Sequence, residues 1–341
     1  MPNKSWLELL EYARWAPSPH NMQPWLFQPL TDTECTLFYD PSRLLPGTNP
    51  TGSFMACGFG ILLECLDIAA APRSQQVSVD FHTQDLQSSN GGPVKYATLQ
   101  LVPRTKSESL DRELILTRRT SRLPYDGKPI SEDIYAELVE VANSFGHQFE
   151  YSTEPSEVAW VVALNADTMF YDMSEPVARN EVAGWMRFSH GEARRKADGL
   201  AAYAMNANGL LMWLFARANW LFRLPGIRQF TRAQYIRAMD GTRNVAWLSG
   251  PFFEKHDDWI NSGRMLARLW FTMTRHGIYL HPFGSVITNA TAHAQMEEHF
   301  INPGRTHPLW MLVRLGYSEL PPKSHRLPME HMLMNQERLQ S

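Results

Sequence analysis

Cysteine is scarce in this chain of 341 residues: there are only three, Cys35, Cys57 and Cys65, and no CxxC occurs. That argues against a disulfide framework or a redox pair and leaves buried free thiols in a reducing cytoplasm as the simplest reading. Surplus positive charge is missing too. With 32 Lys and Arg against 35 Asp and Glu, the chain lacks the basic surface that phosphate backbones demand, so nucleic acid is not an expected partner. The opening "MPNKSWLELL" has neither a long apolar core nor a small-residue cleavage site, so no secretory signal is read there. The most lipophilic stretch reads as 209–230, and Arg217 and Arg223 interrupt it too early for a membrane span. Zinc-ligand spacing, a Rossmann-type glycine loop and a Ser/His/Asp arrangement are all missing from the pattern. What remains is a packed chain, 44% hydrophobic and 20% charged, long enough to bury its own core.

The order of the segments suggests a hidden duplication. Ser5-x-x-Glu8 has the form of a capping box and predicts a helix at the start of the chain. A second helix should start near Ser131, where Glu132 and Asp133 suit the positive helix end. "ELLEYARWA" (8–16) matches "ELVEVANSF" (137–145), and "ACGFGILLECLDIAA" (56–70) resembles "NSGRMLARLWFTMTRHG" (261–277), each of this second pair opening near a glycine, Gly58 or Gly263. Strand-like runs follow at 96–102 and 309–317. Three pairs in one order predict an α+β fold of two degenerate repeats, residues 1–110 and 111–341, the second carrying a helical insertion at about 185–240. Such a chain can fold as a pseudo-dimer.

Four stretches carry chemistry. "ARWAPSPHNMQPWLF" (13–27) ends a helix at prolines and sets Ser18, His20, Asn21 and Gln23 before an apolar strand. "TRRTSR" (117–122) puts Arg118, Arg119 and Arg122 beside Thr120 and Ser121. This is a match to a phosphate group, or simply a solvated basic loop. "HPFG" (281–284) makes a turn at Pro282, Phe283 and Gly284, where glycine lets backbone approach a flat ligand. "LPPKSHRLP" (320–328) places Lys323 and Arg326 in a proline-stiffened tail.

Together these stretches resemble the FMN-dependent nitroreductase superfamily, in particular its single-chain, two-repeat, Acg-like branch. The resemblance implies a sheet-and-helix sandwich and an FMN bound between the repeats. It sets Pro17, Ser18, Asn21 and Gln23 against the ribityl chain and ring edge. Arg118, Arg119, Thr120 and Arg122 then sit at the phosphate, with Lys323 and Arg326 adding charge there. The backbone at Pro282, Phe283 and Gly284 comes near flavin N5, and no catalytic side chain is required. His20, Tyr279 and His281 are possible pocket residues; Asn180, Glu181 and Arg187 could reach the cofactor but are not placed. The loop survives only in the first repeat and the grip only in the second, so one complete site and a monomeric pseudo-dimer are implied. The implied activity passes two electrons from NAD(P)H through FMN to a nitroaromatic, quinone or similar small molecule. Alternatives are a flavin-dependent dehydrogenase or oxidase on a biosynthetic substrate, and an FMN-sequestering protein with little turnover. For the amphipathic 209–230 stretch, a lid or packing role is favoured over membrane docking.

Overall fold

The computed structural model describes residues 4–218, 220 and 224–334. Its first half runs α1 (Lys4–Ala13), β1 (Trp25–Pro29), β2 (Glu34–Tyr39), α2 (Ser53–Ala70), β3 (Gln75–Phe81) and β4 (Val94–Pro103). After a polar connector come α3 (Glu113–Thr117), α4 (Glu132–Asn143) and β5 (Gln148–Ser152). A long excursion follows: α5 (Pro155–Asp172), α6 (Pro176–Trp185), β6 (Met186–Arg187), α7 (His190–Lys196), β7 (Leu200–Ala201), α8 (Gly209–Arg217) and α9 (Pro225–Arg237). The chain then returns through β8 (Asn244–Ser249), α10 (His256–Arg275), β9 (Tyr279–Pro282), α11 (Gly284–Thr288), α12 (Ala290–His299), β10 (Leu309–Gly316) and α13 (Met329–Met332).

Each half holds a four-stranded antiparallel sheet, ordered β1-β2-β4-β3 and β5-β8-β10-β9. Both therefore follow one plan, helix–strand–strand–helix–strand–strand, with the fourth strand slipped between the second and third. The extra material in the second half separates β5 from β8 and spans 153–243, starting well before the expected position 185.

Apolar spacing explains the helices. In α1, Trp6, Leu9, Leu10 and Ala13 recur at the helical period and are buried; in α4, Tyr135, Leu138 and Ala142 do the same. Helix α2 is buried on nearly all sides and is correspondingly apolar all round. With the turn after it, Ser53–Arg73 is long and apolar enough to cross a membrane by composition. Most of that stretch is buried in protein, which makes it a core helix. Among the described residues it is the one helix long and apolar enough for that test. Ser5 lies within α1, whose described residues begin at Lys4, and Glu8 pairs with Arg73 and Arg112.

Helices α2 and α10 meet at the seam between the halves. A Cβ placed on Gly60 would stand 2.2 Å from the Ile260 carbonyl oxygen, and one on Gly263 would stand 2.0 Å from that of Cys57. Each glycine thus meets the carbonyl three residues before the other, as a two-fold arrangement requires. Only glycine permits this approach. The partner of Gly263 is Gly60, not the Gly58 picked out from the sequence. Glu64 adds a buried bridge across the seam, 3.0 Å from Arg264 and 2.6 Å from Arg268.

Candidate functional site

The loop after α1 is held in a costly shape. His20, Asn21 and Gln23 have φ of 48°, 55° and 53°, left-handed values for side-chain-bearing residues. Each costs about 1–2 kcal/mol, less for Asn, and such outliers gather at ligand sites. The Ser18 hydroxyl accepts a bond from the Gln23 amide at 3.0 Å and locks the turn. The Gln23 side chain, 1% exposed, is committed to structure. It donates to the Asn21 and Ala197 carbonyls, both at 3.1 Å, and accepts from the Leu327 amide at 2.8 Å. Gln23 therefore joins the loop, the excursion and the tail, a positioning role in place of the expected ligand contact. Asn21 Nδ2 donates to the His325 carbonyl at 3.1 Å, while Asn21 Oδ1 and His20 Nδ1 are buried without a protein partner. Burial lowers His20 to about 4, so it is neutral at physiological pH.

The loop, the grip and the tail come together around Trp15. Lys323 Nζ sits 3.3 Å from the centre of its ring, with the Arg14 and Arg326 guanidiniums 5.5 and 5.7 Å away. Arg118 packs over Trp270 at 4.3 Å. Its Nε and Nη1, together with Arg326 Nε, are buried and have no protein acceptor. Burial lowers Arg118 to about 10; burial, then Arg118 and Arg14, lowers Arg326 to about 9. Burial, followed by Arg119, Arg326, Arg118 and Arg14, lowers Lys323 to about 8. Arg14 is balanced by Glu11 at 3.1 Å, whereas Arg118, Lys323 and Arg326 have no carboxylate within ion-pair distance among the described residues. Unshared cations with unused N–H groups in one place can accept an anion.

Not every expected residue points there. Arg119 Nη1 donates to the carbonyls of Leu116, Thr117 and Arg118 at 3.0, 2.9 and 3.2 Å, capping α3, while its Nε is buried without a partner among the described residues. Thr120 bridges Leu280 through its backbone, which lays the grip along β9. Arg122 lies further on, its carbonyl accepting from Asn206 at 3.3 Å, its Nε buried and without a partner, and burial lowers it to about 10. Nearby, His281 Nδ1 accepts from Arg314 at 3.2 Å, and burial, aided by Arg122 and Arg314, keeps this ring neutral. β9 ends at Pro282. Phe283 is buried and its N–H goes to Leu312 at 2.8 Å, so that amide is already used. Gly284 is exposed, and nothing lies within 4 Å of where its Cβ would be.

A segment of the insertion, for which a lid was one reading of the sequence, lies against this arrangement as a cover. Residues 197–206 touch all three parts: Ala197 bonds Gln23, the Gly199 amide donates to Asn21 at 3.3 Å, Tyr203 donates to the Lys323 carbonyl at 3.2 Å, and Arg122 donates to Ala204 at 3.4 Å. Two carboxylates fasten the excursion to the first half. Glu181 accepts from the Gly47 and Thr48 amides at 2.8 Å, and Asp198 holds Arg43 at 3.1 Å and Arg187 at 2.7 Å. Glu181 and Arg187, unplaced from sequence, are thus fasteners of the cover. Arg14, Trp15 and Tyr203 were also missed; the first two immediately precede the quoted Ala-Pro-Ser stretch.

No family profile matches the chain. Along most of its length it is similar to "Probable NAD(P)H nitroreductase PigM" of a Serratia species, 23% identical over 306 residues, covering 85% of this chain and 82% of that one. The protein acg of Mycobacterium tuberculosis, whose name assigns it provisionally to the NAD(P)H nitroreductases, is 31% identical over 117 residues, 33% of this chain and 34% of that one. The chain spans about a third of the length of the first M. tuberculosis relatives it matches. Among solved structures, the FMN-dependent nitroreductase NfnB of Mycobacterium smegmatis, crystallised with NADPH, superposes with a TM-score of 0.40 at 16% identity, over 66% of this chain and 96% of that one. The chain is thus similar to PigM along most of its length and to acg along a third.

Proposed function

We propose that the chain is an FMN-dependent oxidoreductase of the nitroreductase type, taking two electrons from NAD(P)H and passing them to a nitroaromatic, a quinone or a similar small acceptor. The observation that carries this reading is the cluster of Arg118, Lys323 and Arg326, in which Arg118 Nε and Nη1 and Arg326 Nε are buried without an acceptor among the described residues, and Lys323 Nζ bonds only the Leu116 carbonyl at 2.9 Å. A phosphate monoester brings nearly two negative charges and three strong acceptors, which is what that cluster lacks. The strained loop 18–23 and the buried, unsatisfied Asn21 Oδ1 support a second polar contact region beside it.

FMN, when bound, supplies the hydride and electron chemistry. The chain's own residues bind and orient. Arg118 and Arg326 would hold the phosphate, with Lys323 adding charge and Arg14 steadying the tail through its 3.0 Å bond to the Leu327 carbonyl. Asn21 and Ser18 would bond the polar edge of the cofactor, and the open side of Gly284 would leave room for a flat ring. The neutral His20 and His281 bring no charge that titrates near pH 7. The cover 197–206 would exclude water. The repeated topology and the reciprocal glycines support a pseudo-dimer that acts as one chain with one such site. Buried free Cys35, Cys57 and Cys65 suit a reducing, cytoplasmic setting.

A visible absorption spectrum of the purified protein tests this, with mass identification of the released flavin and its ratio to protein. One FMN per chain and NAD(P)H consumption on adding a quinone are expected. A protein that is colourless and cannot be reconstituted with FMN overturns the reading. The cover favours a second reading, FMN held with little turnover. In that case flavin content is full, turnover is negligible, and Tyr203→Ala, which frees the cover from Lys323, raises the rate.

A further inference from the structure

We propose that the outer face of α8 and α9 docks on the surface of an anionic lipid bilayer. The sequence had favoured packing or a lid for this stretch, but the structure turns its large apolar side chains outward. Leu210, Trp220 and Phe230 are 66%, 64% and 63% exposed, and Leu211, Trp213, Leu224 and Ile227 are exposed with them. The inner sides are anchored. Met212 and Ala216 of α8 are buried against Met173, Met186 and Ala202, and Phe215 packs edge-on to Phe170 of α5. On α9, Tyr235 bonds Asn165 of α5 at 2.8 Å and Arg232 pairs with Asp167 at 2.6 Å. Both helices thus lean on α5, which sets their outward residues on adjoining surface.

Charge selects the occupant. From residue 199 to residue 239 there is no Asp or Glu, while Arg217, Arg223, Arg228, Arg232 and Arg237 fall in the same stretch. Arg217, Arg228 and Arg237 are exposed, and among the described residues none of them is in an ion pair. Exposed Trp, Phe and Leu beside arginines, with no acid among them, are the composition of a helix lying in a headgroup layer. A second copy of the chain fits worse. A two-fold contact would bring this face against itself, setting arginine near arginine, with the Asp167 carboxylate beside it already taken by Arg232.

The test is co-sedimentation of the purified full chain with phosphatidylcholine vesicles, with and without phosphatidylglycerol, over a range of salt. The expected result is binding only where phosphatidylglycerol is present, weakening as salt rises. Trp213→Glu and Phe230→Glu should each cut partitioning more than about tenfold. Arg217→Gln and Arg228→Gln should each cut it about fivefold, the equivalent of about 1 kcal/mol per basic residue at an anionic surface. All four side chains are exposed, so an unchanged melting temperature serves as the folding control. Three results overturn the proposal: folded wild-type protein that stays in the supernatant with phosphatidylglycerol, variants that pellet as well as wild type, or self-association that Trp213→Glu abolishes while vesicles fail to compete. The wild-type dependence on lipid charge and salt decides the matter even if a variant fails to fold. FMN binding is a separate measurement, so either idea can fail alone.

Discussion

The two helix-to-strand turns that occupy equivalent places in the halves have gone opposite ways. Between α1 and β1 run residues 14–24, with three left-handed side-chain-bearing residues and buried polar atoms without partners. Between α4 and β5 run only residues 144–147, and every demand there is met. His147 is 1% exposed; its Nδ1 accepts from Trp310 at 3.1 Å and its Nε2 lies 3.2 Å from the Ser262 hydroxyl, so the proton sits on Nε2. One turn stores strain and unused polar capacity, and the other spends the same position on core packing. Conformational cost and unsatisfied groups gather in one half, and their relief in the other, the contrast expected if only the first contributes this turn to the proposed site.

The sharpest way to break that comparison is at the cation cluster. Arg118→Ala should weaken FMN binding by about 100-fold, the scale of one lost charge-assisted contact, while Arg119→Ala should weaken it less, because Arg119 Nη1 already bonds three carbonyls and only its Nε is unpartnered among the described residues. Flavin fluorescence titration reads both, and equal effects would undo the distinction between them. Next comes a matched pair, one residue from each turn. Gln23→Ala leaves the Leu327 amide and the Ala197 carbonyl unpaired and should cost about 2–4 kcal/mol in denaturant unfolding, together with flavin affinity. His147→Ala should cost about 2–3 kcal/mol and leave flavin affinity untouched.

Two pH effects refine the picture. Lys323 titrates near 8, and an anion prefers its charged form, so FMN affinity should fall several-fold from about pH 7 to about pH 9. Lys323→Arg, which stays charged, should flatten that fall. Burial lowers His147 to about 4, so the unfolded chain binds the extra proton between about 4 and 6.5. Stability should therefore drop as pH falls through that window, and His147→Ala should lose part of the slope. The smallest expected effect is His20→Gly, which removes a left-handed penalty but adds unfolded-state entropy. The melting temperature should rise by about 1–2 °C.

Much of this was legible because it depends on local spacing. The buried stripe of α1, the matching stripe of α4 and the proline-bounded loop show themselves at intervals of three or four residues. What escaped depends on partners far along the chain. Gln23 reads as a ligand residue until Leu327 and Ala197 are seen to occupy it, and Arg119 reads as a phosphate grip until α3 folds back beneath it. The left-handed backbone at His20 and Gln23 has no signature in residue type, since neither is glycine. A lid was one reading of the insertion, but the part that lies against the site, 197–206, is set by Asp198 and Glu181 gripping the other half.

The reciprocal glycine contact at Gly60 and Gly263 joins surfaces that belong to a single polypeptide. Two separate protomers meeting this way would come apart on dilution, and any ligand cradled between them would be released with them. Here a covalent tether holds the two surfaces at a fixed effective concentration, so their contact with each other stays the same in a cell holding a handful of copies or many.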